Sequence, residues 1–482
     1  MVHTQQNVII EIILNLFQTN IKKNIKKNKF FESYETQQKN GQPMCNNLDP
    51  INMFNIRIKN GLITICENRK SKHICYQNGN EYYNDILWYN NGVICIMENI
   101  ILNPSKSMKS KYIYKGPVDS QNQGSPILLE GFFNMNCKDK KDLYANTIYN
   151  TYFNSWNYHY KKKKGEKIEE LAPNKTLLFL SRNQDSPNLF HGNSEIINVL
   201  SMMYLFNLNP ENIQVIFLES MDLKDDPLYV IYKNVISRGG KPIYIKDLKR
   251  KYHISSAIHV PINWDSPCFF KSINQEDKNF VPNCKYLTKT YKLYNDLVDK
   301  YIKIPDFIDS FISDKEIFYY PKSIIKNHKL KTIFTKTVTI QWRKVWPKGR
   351  KGQFRILGNG RDLADKLSSI LPKNILIRLV DTAYLPMNKQ ISIMKKTDYL
   401  IGIHGAGLSL SIFMPNNSIL HEILPAKNMK VLALMSILSG HKTYSDIIKA
   451  NIKKIKGSET VFFNVNDFTK SVLKHMKENK FF

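Results

Sequence analysis

The run His404-Gly405-Ala406-Gly407 sets an imidazole beside three residues with almost no side chain. It lies between the apolar stretch Tyr399–Ile403 and a second one carrying Leu408, Leu410, Ile412 and Phe413. The first stretch has the length and β-branching of a buried strand, and the second reads as an apolar-rich helix, so the chain is expected to turn from strand to helix on the small residues. The first amides of such a helix, together with its dipole, form a site for an anion such as a diphosphate. The competing reading is a tight turn that needs glycine for backbone reasons alone. Past Pro415 and a turn-forming Asn-Asn-Ser, the run Ile419–Leu424 contains His421 and Glu422. An acid at the carboxyl end of the next strand is placed to accept hydrogen bonds from ribose hydroxyls, as in doubly wound nucleotide-binding sheets.

Upstream lies a basic loop that starts at Gln341-Trp342 and carries Arg343, Lys344, Lys348, Arg350, Lys351 and Arg355 around Gly349 and Gly352. A basic segment directly after a strand folds readily over a diphosphate, and guanidinium groups match phosphate oxygens bidentately. For the lysines a solvated loop is the alternative. Further toward the N-terminus, Asn188-Leu-Phe-His191 is followed by Glu195. With Asn193 or Ser194 as a helix cap, His191 sits just before the helix and Glu195 in its first turn. Either group can there take a proton from a hydroxyl, the alternative being an acid that merely complements the dipole. Glu219, Asp222, Asp225 and Asp226 have the residue types of a cation site, but Asp226 before Pro227 reads better as an N-cap followed by a first-position proline.

The elements that must position these groups alternate in type. Residues 176–181, 213–219 and 242–245 read as strands with helices over 194–205 and 227–237, and a long amphipathic segment covers 286–304. The alternation restarts with strands over 337–342 and 375–380, helices over 362–371 and 387–396, and the strand that ends at His404; a closing helix spans 465–480. Two consecutive α/β halves imply a cleft between them, where open sheets bind ligands. The runs 56–66, 86–96 and 127–133 read as strands of a small β-rich cap. The expected layout is a polar stem over 1–50, a β-rich extension over 51–165, an N-terminal Rossmann-like domain over 166–330 and a C-terminal one over 331–482. A chain of 482 residues is too long for one ordinary core, which agrees with two main domains.

A formal charge of +29 invites a nucleic-acid role. Only 10 of the 70 basic residues are arginine, the side chain that reads guanine edges, so a sequence-reading function is set aside in favour of a lysine-rich solvated surface. The seven cysteines form no CxxC or Cys/His pattern, and no structural metal is expected. Residues 8–17 are apolar but include Glu11 and Asn15, with no basic residue before them. They are too short and polar for a membrane span, make a poor signal sequence, and read as an amphipathic helix. Two sequons, at Asn174 and Asn416, are compatible with a secretory route.

Taken together these residues resemble glycosyltransferase family 61. Gln390, Asp398, the strand, HGAGL, the apolar-Phe-apolar-Pro stretch and Glu422 look like that family's C-terminal pattern. Arg343 and the run Phe354-Arg355-Ile356-Leu357-Gly358-Asn359 are similar to its arginine and basic-Ile-Leu-Asn segment, here with Gly358 as an extra residue. Phe190-His191 with Glu195 resembles its aromatic-His and later acid, and Cys268 and Cys284 are spaced like a cysteine pair of the family. The resemblance implies a GT-B-like α/β fold of two facing Rossmann-like domains. It implies inverting, metal-independent transfer of a sugar, N-acetylglucosamine or a pentose, from a UDP-sugar to a hydroxyl of a protein or glycan acceptor in the secretory lumen. Arg343, Arg355, Gln390, His404, Gly405, Ala406, Gly407 and Glu422 would hold the nucleotide sugar. Glu195 and His191 would handle the acceptor proton, and His404 is then not the favoured base. A catalytically idle carbohydrate- or partner-binding protein on the same fold is the alternative.

Overall fold

The computed structural model describes residues 49–60, 62–68, 71–77, 82–83, 86–87, 93–108, 127–137, 150–181, 188–218, 226–261, 288–305, 317–320, 334–342, 355–382, 385–424, 431–447, 451–455 and 458–482. Expectations that lie wholly or partly outside them include the stem with its apolar run, residues 88–92 of the strand run 86–96, most of the basic loop including Arg343, the acids 219–225, the side chain of Arg355, and the cysteines Cys268 and Cys284.

The chain is a mixed α/β structure built on two large sheets. The first has ten strands, and its main path comprises β1 (Leu62–Glu67), β2 (Lys72–Gln77), β3 (Val93–Leu102), β4 (Thr176–Leu180), β5 (Ile213–Phe217), β6 (Ile243–Tyr244) and β7 (Tyr252–His259). Their spatial order is β1-β2-β3-β7-β4-β5-β6. The last four pair in parallel, while β3 pairs antiparallel with β7 from Leu102↔Tyr252 to Cys95↔His259. The long strands before residue 165 therefore continue this sheet instead of forming a cap of their own. Sequence reading misses β7, the strand that joins the two parts, because His253, Ser255 and Ser256 break its apolar pattern.

The second sheet orders its strands β8-β10-β9-β11-β12-β13, where β8 is Ile317–Tyr320, β9 Lys336–Gln341, β10 Ile375–Val380, β11 Tyr399–Ile403, β12 Ile419–Leu424 and β13 Lys442–Ile447. Only the edge strand β8 is antiparallel. Every residue of β10, β11 and β12 is buried, the mark of a parallel sheet covered on both faces. From β9 the chain moves outward to β10, then returns past β9 to β11 and on to β12 and β13, so the connection direction reverses between β9 and β11. In the first sheet the same reversal falls between β4 and β7. Open α/β sheets bind ligands at the carboxyl ends of such a strand pair.

The helices that bear on the site and its supports are α1 (Pro50–Asn60), α2 (Leu189–Leu205), α3 (Lys289–Tyr301), α4 (Gly360–Ile370), α5 (Met387–Lys395) and α6 (Val465–Glu478). Helix α1 replaces the strand expected from residue 56. Its isoleucines suggest a strand, but Ile51, Phe54 and Ile58 recur at helical spacing and are buried. Asp49 accepts from the Ile51 amide at 2.9 Å, and from the Thr290 amide at 2.9 Å and hydroxyl at 3.0 Å, so one carboxylate caps the starts of α1 and α3. Asp226 accepts from the Leu228 amide at 2.9 Å, but the helix expected over 227–237 opens only at Tyr229, with Leu228 as its cap and no side-chain cap bond, and passes into a π turn over Tyr232–Ile236.

One apolar cluster runs from α1, α2 and α3 into the segment after the HGAG corner, where Leu408, Leu410, Ile412 and Phe413 meet Phe190, Ile197, Leu200 and Tyr294. Each such fully buried side chain contributes about 1.5–3 kcal/mol, so the two sheets share a core at this seam. Disulfides join Cys66 to Cys137 and Cys75 to Cys95, bonds that persist in oxidising compartments. Among the described residues no helix is long and apolar enough to cross a membrane.

Candidate functional site

Strand β11 ends at Ile403 and the chain enters a 3₁₀ helix, Ala406–Phe413, where sequence reading expected an α-helix. The corner lies at the carboxyl end of β11, beside the end of β9 and therefore at the point where the second sheet reverses direction. Gly405 has φ 167°, extended backbone that any residue adopts, so turn conformation does not explain it. Close approach explains Gly407: a Cβ there would stand 2.5 Å from Gln341 Nε2. Gln341, the last residue of β9, is buried and donates from Nε2 to Thr382 Oγ1 at 2.8 Å. The Leu408 amide closes the turn on the Gly405 carbonyl at 2.9 Å, and the amides of Ala406 and Gly407 precede any intrahelical acceptor, as at every helix start.

His404 Nδ1 meets Glu422 Oε1 at 2.5 Å, and the Glu422 side chain is fully buried while that of His404 is 14% exposed. A carboxylate only accepts, so the shared proton belongs to Nδ1 and Nε2 becomes the imidazole's basic nitrogen. Glu422 Oε2 has no hydrogen-bond partner among the described residues. The geometry thus sets Glu422 beneath His404, orienting its ring, and not at a surface where ribose hydroxyls would reach it. Asp398, at the opposite end of β11, accepts from the Thr337 amide at 2.8 Å and serves the strand's start. Gln390 lies in α5, donates to the Leu385 carbonyl at 2.7 Å and keeps Oε1 buried without a partner among the described residues. Arg355 opens a strand, Arg355–Leu357, that pairs in parallel with Ser458–Phe462. The structure describes its backbone but not its side chain.

On the other side of the seam, α2 begins earlier than the sequence suggests. Asn188 is the cap, accepting from the Phe190 amide at 3.0 Å and the His191 amide at 3.5 Å. His191 therefore stands in the first turn and Glu195 one turn further on, at i and i+4 on one helix face. Burial pushes the His191 imidazole down to about 4, so it is neutral at pH 7. Glu195 is 2% exposed and accepts from the Tyr232 hydroxyl at 3.1 Å. At 100° per residue that face is turned away from Asn193, the residue of α2 that reaches the corner. Asn193 Nδ2 donates to Ser409 Oγ at 3.1 Å, its Oδ1 accepts from the Tyr294 hydroxyl at 2.9 Å, and Ser409 Oγ donates to the Ala406 carbonyl at 2.7 Å. Asn198 Nδ2 ties the same helix to the Pro261 carbonyl just past β7 at 3.2 Å.

The structure therefore brings His404, Gly405, Ala406, Gly407 and Glu422 together with Gln341, Thr382, Ser409 and Asn193. His191 and Glu195 share the helix that supplies Asn193 but face elsewhere. Sequence reasoning missed Gln341, Asn193 and Ser409. The available signal was a set of uncharged polar residues interrupting runs that are otherwise buried.

Residues 281–420 match the model of the family Glycosyltransferase 61. The matched segment contains α3, β9–β11, Asp398 and the whole HGAG corner. No curated protein matches the chain. The match supports membership of glycosyltransferase family 61, and with it a glycosyltransferase acting on a sugar donor and an acceptor.

Proposed function

We propose, with the chain as a member of glycosyltransferase family 61, that it transfers N-acetylglucosamine or a pentose from a UDP-sugar to a hydroxyl of a protein or glycan, with inversion. The observation that carries the donor site is the position of the corner: His404 to Gly407 stand at the reversal point of a parallel sheet, with open-ended amides and a Glu422-oriented imidazole converging there. In the proposed GT-B arrangement residues 331–482 hold the nucleotide sugar, residues 166–330 the acceptor, and the protein works in the secretory lumen. The two disulfides accord with that compartment.

In the reaction the acceptor oxygen attacks the anomeric carbon as the bond to the diphosphate breaks, and the acceptor proton passes to a base. Negative charge grows on the leaving diphosphate. The Ala406 and Gly407 amides, the imidazole of His404 and the guanidinium of Arg343 stabilise it there, a role that a metal ion fills in other transferases. Arg355 and Gln390 complete the donor set in this proposal. Neutral His191, with Glu195 one turn further along α2, stays the proposed proton acceptor although its face of the helix is turned from Asn193, and full turnover in His191→Ala removes that role.

Purified protein given a panel of UDP-sugars and candidate acceptors is expected to release UDP with at least one donor. His404→Ala and Arg343→Ala abolish that release. A protein that binds UDP-sugars without turnover is the idle binding protein, and turnover that survives in both variants removes the site assignment.

A further inference from the structure

His421 and Glu422 are neighbours on β12 and so project to opposite faces of the sheet. Glu422 serves the donor corner. His421, fully buried, turns toward the closing helix α6, where it meets residues the proposed reaction does not use. Its Nε2 lies 2.9 Å from Asp446 Oδ2 on the adjacent strand β13, and its Nδ1 lies 2.8 Å from the Tyr399 hydroxyl on β11. His475, from the last turn of α6, faces the His421 ring with centroids 5.3 Å apart and stacks on Tyr444 at 3.8 Å. One donor atom from each of His421, Asp446 and His475 falls within 4.8 Å of the others.

We propose that His421, Asp446 and His475 form a binding site for a zinc-class divalent transition metal that clamps the C-terminal helix to the back of the second sheet.

Three features carry this. The donor set, two imidazoles and a carboxylate, suits such an ion, and a water or outside group can fill the fourth position. Both rings already have an oxygen partner on Nδ1: the Tyr399 hydroxyl for His421, and Glu478 Oε2 at 3.1 Å for His475. That is the outer-shell arrangement which orients a metal-binding histidine and directs Nε2 at the ion. The site is also reachable, because the side chains of Asp446 and His475 are 27% and 16% exposed while His421 anchors the interior end. Without a metal, His421 donates from Nε2 to Asp446. With one, that proton moves to Nδ1 and is donated to the Tyr399 oxygen, so His421 loses no proton overall. Binding requires the His421–Asp446 pair to open from 2.9 Å and the His475 donor, within 4.8 Å of both, to adjust to the separation of ~3.3 Å that zinc–ligand bonds of about 2.0–2.2 Å set. The other histidine–cysteine grouping, His73 with Cys75 and Cys95, offers no competing site because its sulfurs are joined as a disulfide. The absence of a Cys/His spacing motif does not bear on this site, since its ligands come from two strands and a helix far apart in sequence.

The test uses tag-free full-length protein stripped with chelator and dialysed. Titrated with zinc, it is expected to take up one equivalent that survives gel filtration, to melt at a higher temperature, and with cobalt to show the visible absorption of a tetrahedral nitrogen–oxygen site. His475→Ala and Asp446→Asn lower the affinity at least tenfold, and Tyr399→Phe lowers it by about tenfold through the outer shell. Stripped wild-type protein that takes up no zinc at micromolar concentration overturns the proposal, as does unchanged stoichiometry and affinity in both ligand variants. UDP release plays no part in these readouts, so the site stands or falls apart from the donor assignment.

Discussion

Asn193 Nδ2 donates to Ser409 Oγ at 3.1 Å, a polar link between helix α2 and the 3₁₀ helix that begins at the HGAG corner, within the apolar core the two share. Both residues are buried, at 0% and 1% exposure, and Asn193 is held from behind by the Tyr294 hydroxyl. A shift of α2 against the 3₁₀ helix would leave both buried groups unpaired. The position of Ala406, whose carbonyl Ser409 also holds, depends on the same bond.

Removing the bridge leaves buried groups without partners, which costs about 1–3 kcal/mol. Asn193→Ala and Ser409→Ala are each expected to lower the denaturation midpoint accordingly, and the double variant to lose less than the sum. Strict additivity in the double-mutant cycle contradicts a direct coupling between the two.

Gly407→Ala places a methyl group against Gln341 Nε2 and displaces it from Thr382. The expected cost is about 1–2 kcal/mol, mostly the lost hydrogen bond, together with weaker UDP binding. Gln341→Ala added to Gly407→Ala makes room for the methyl group and is expected to recover UDP affinity. Affinity that stays low in the double variant places the defect in the corner's own backbone.

Glu422→Gln keeps the shape beneath His404 but removes the negative charge and offers an amide N–H as well as an oxygen, so the proton is no longer held on Nδ1. UDP release is expected to fall at least tenfold with the melting temperature nearly unchanged, because orientation and charge of the ring are lost and packing is kept. Activity equal to wild type denies His404 its oriented role.

Acid sensitivity follows from histidines buried neutral. Burial, with a smaller contribution from nearby His259, pushes the His73 imidazole down to about 3, and burial pushes His191 down to about 4, from an ordinary 6.5. The unfolded chain binds these protons near pH 6.5 and the folded chain does not. Stability is therefore full above pH 6.5 and falls as pH drops toward 4, by about 1.4 kcal/mol per pH unit for each histidine. The melting temperature is expected to decline between pH 6.5 and 5, and His73→Phe, which keeps the stack on Trp156 at 3.9 Å, to flatten the decline. A wild-type profile level over that range contradicts the assignment.

The two α/β runs and the corner are legible in the sequence because their signals are local: buried strands of β-branched residues, a small-residue turn, helices with apolar stripes. Strand β7 is not, since His253, Ser255 and Ser256 occupy a strand held by neighbours on both sides, where pairing outweighs composition. Helix α1 misleads because its isoleucines favour strands while its three-and-four spacing is helical. The sequence offers Asn193 or Ser194 as the cap of α2 in place of Asn188, yet their side chains are committed to Ser409 and to the Phe190 carbonyl. The pairing of His404 with Glu422 depends on the register Gly402↔Glu422 between β11 and β12, which only the folded sheet provides.

Titration of UDP by calorimetry tests the donor site most directly. The account predicts one site on the wild-type protein, with affinity at least tenfold weaker in His404→Ala and in Arg343→Ala. Absence of UDP binding to folded wild-type protein, or equal affinity in all three proteins, contradicts it.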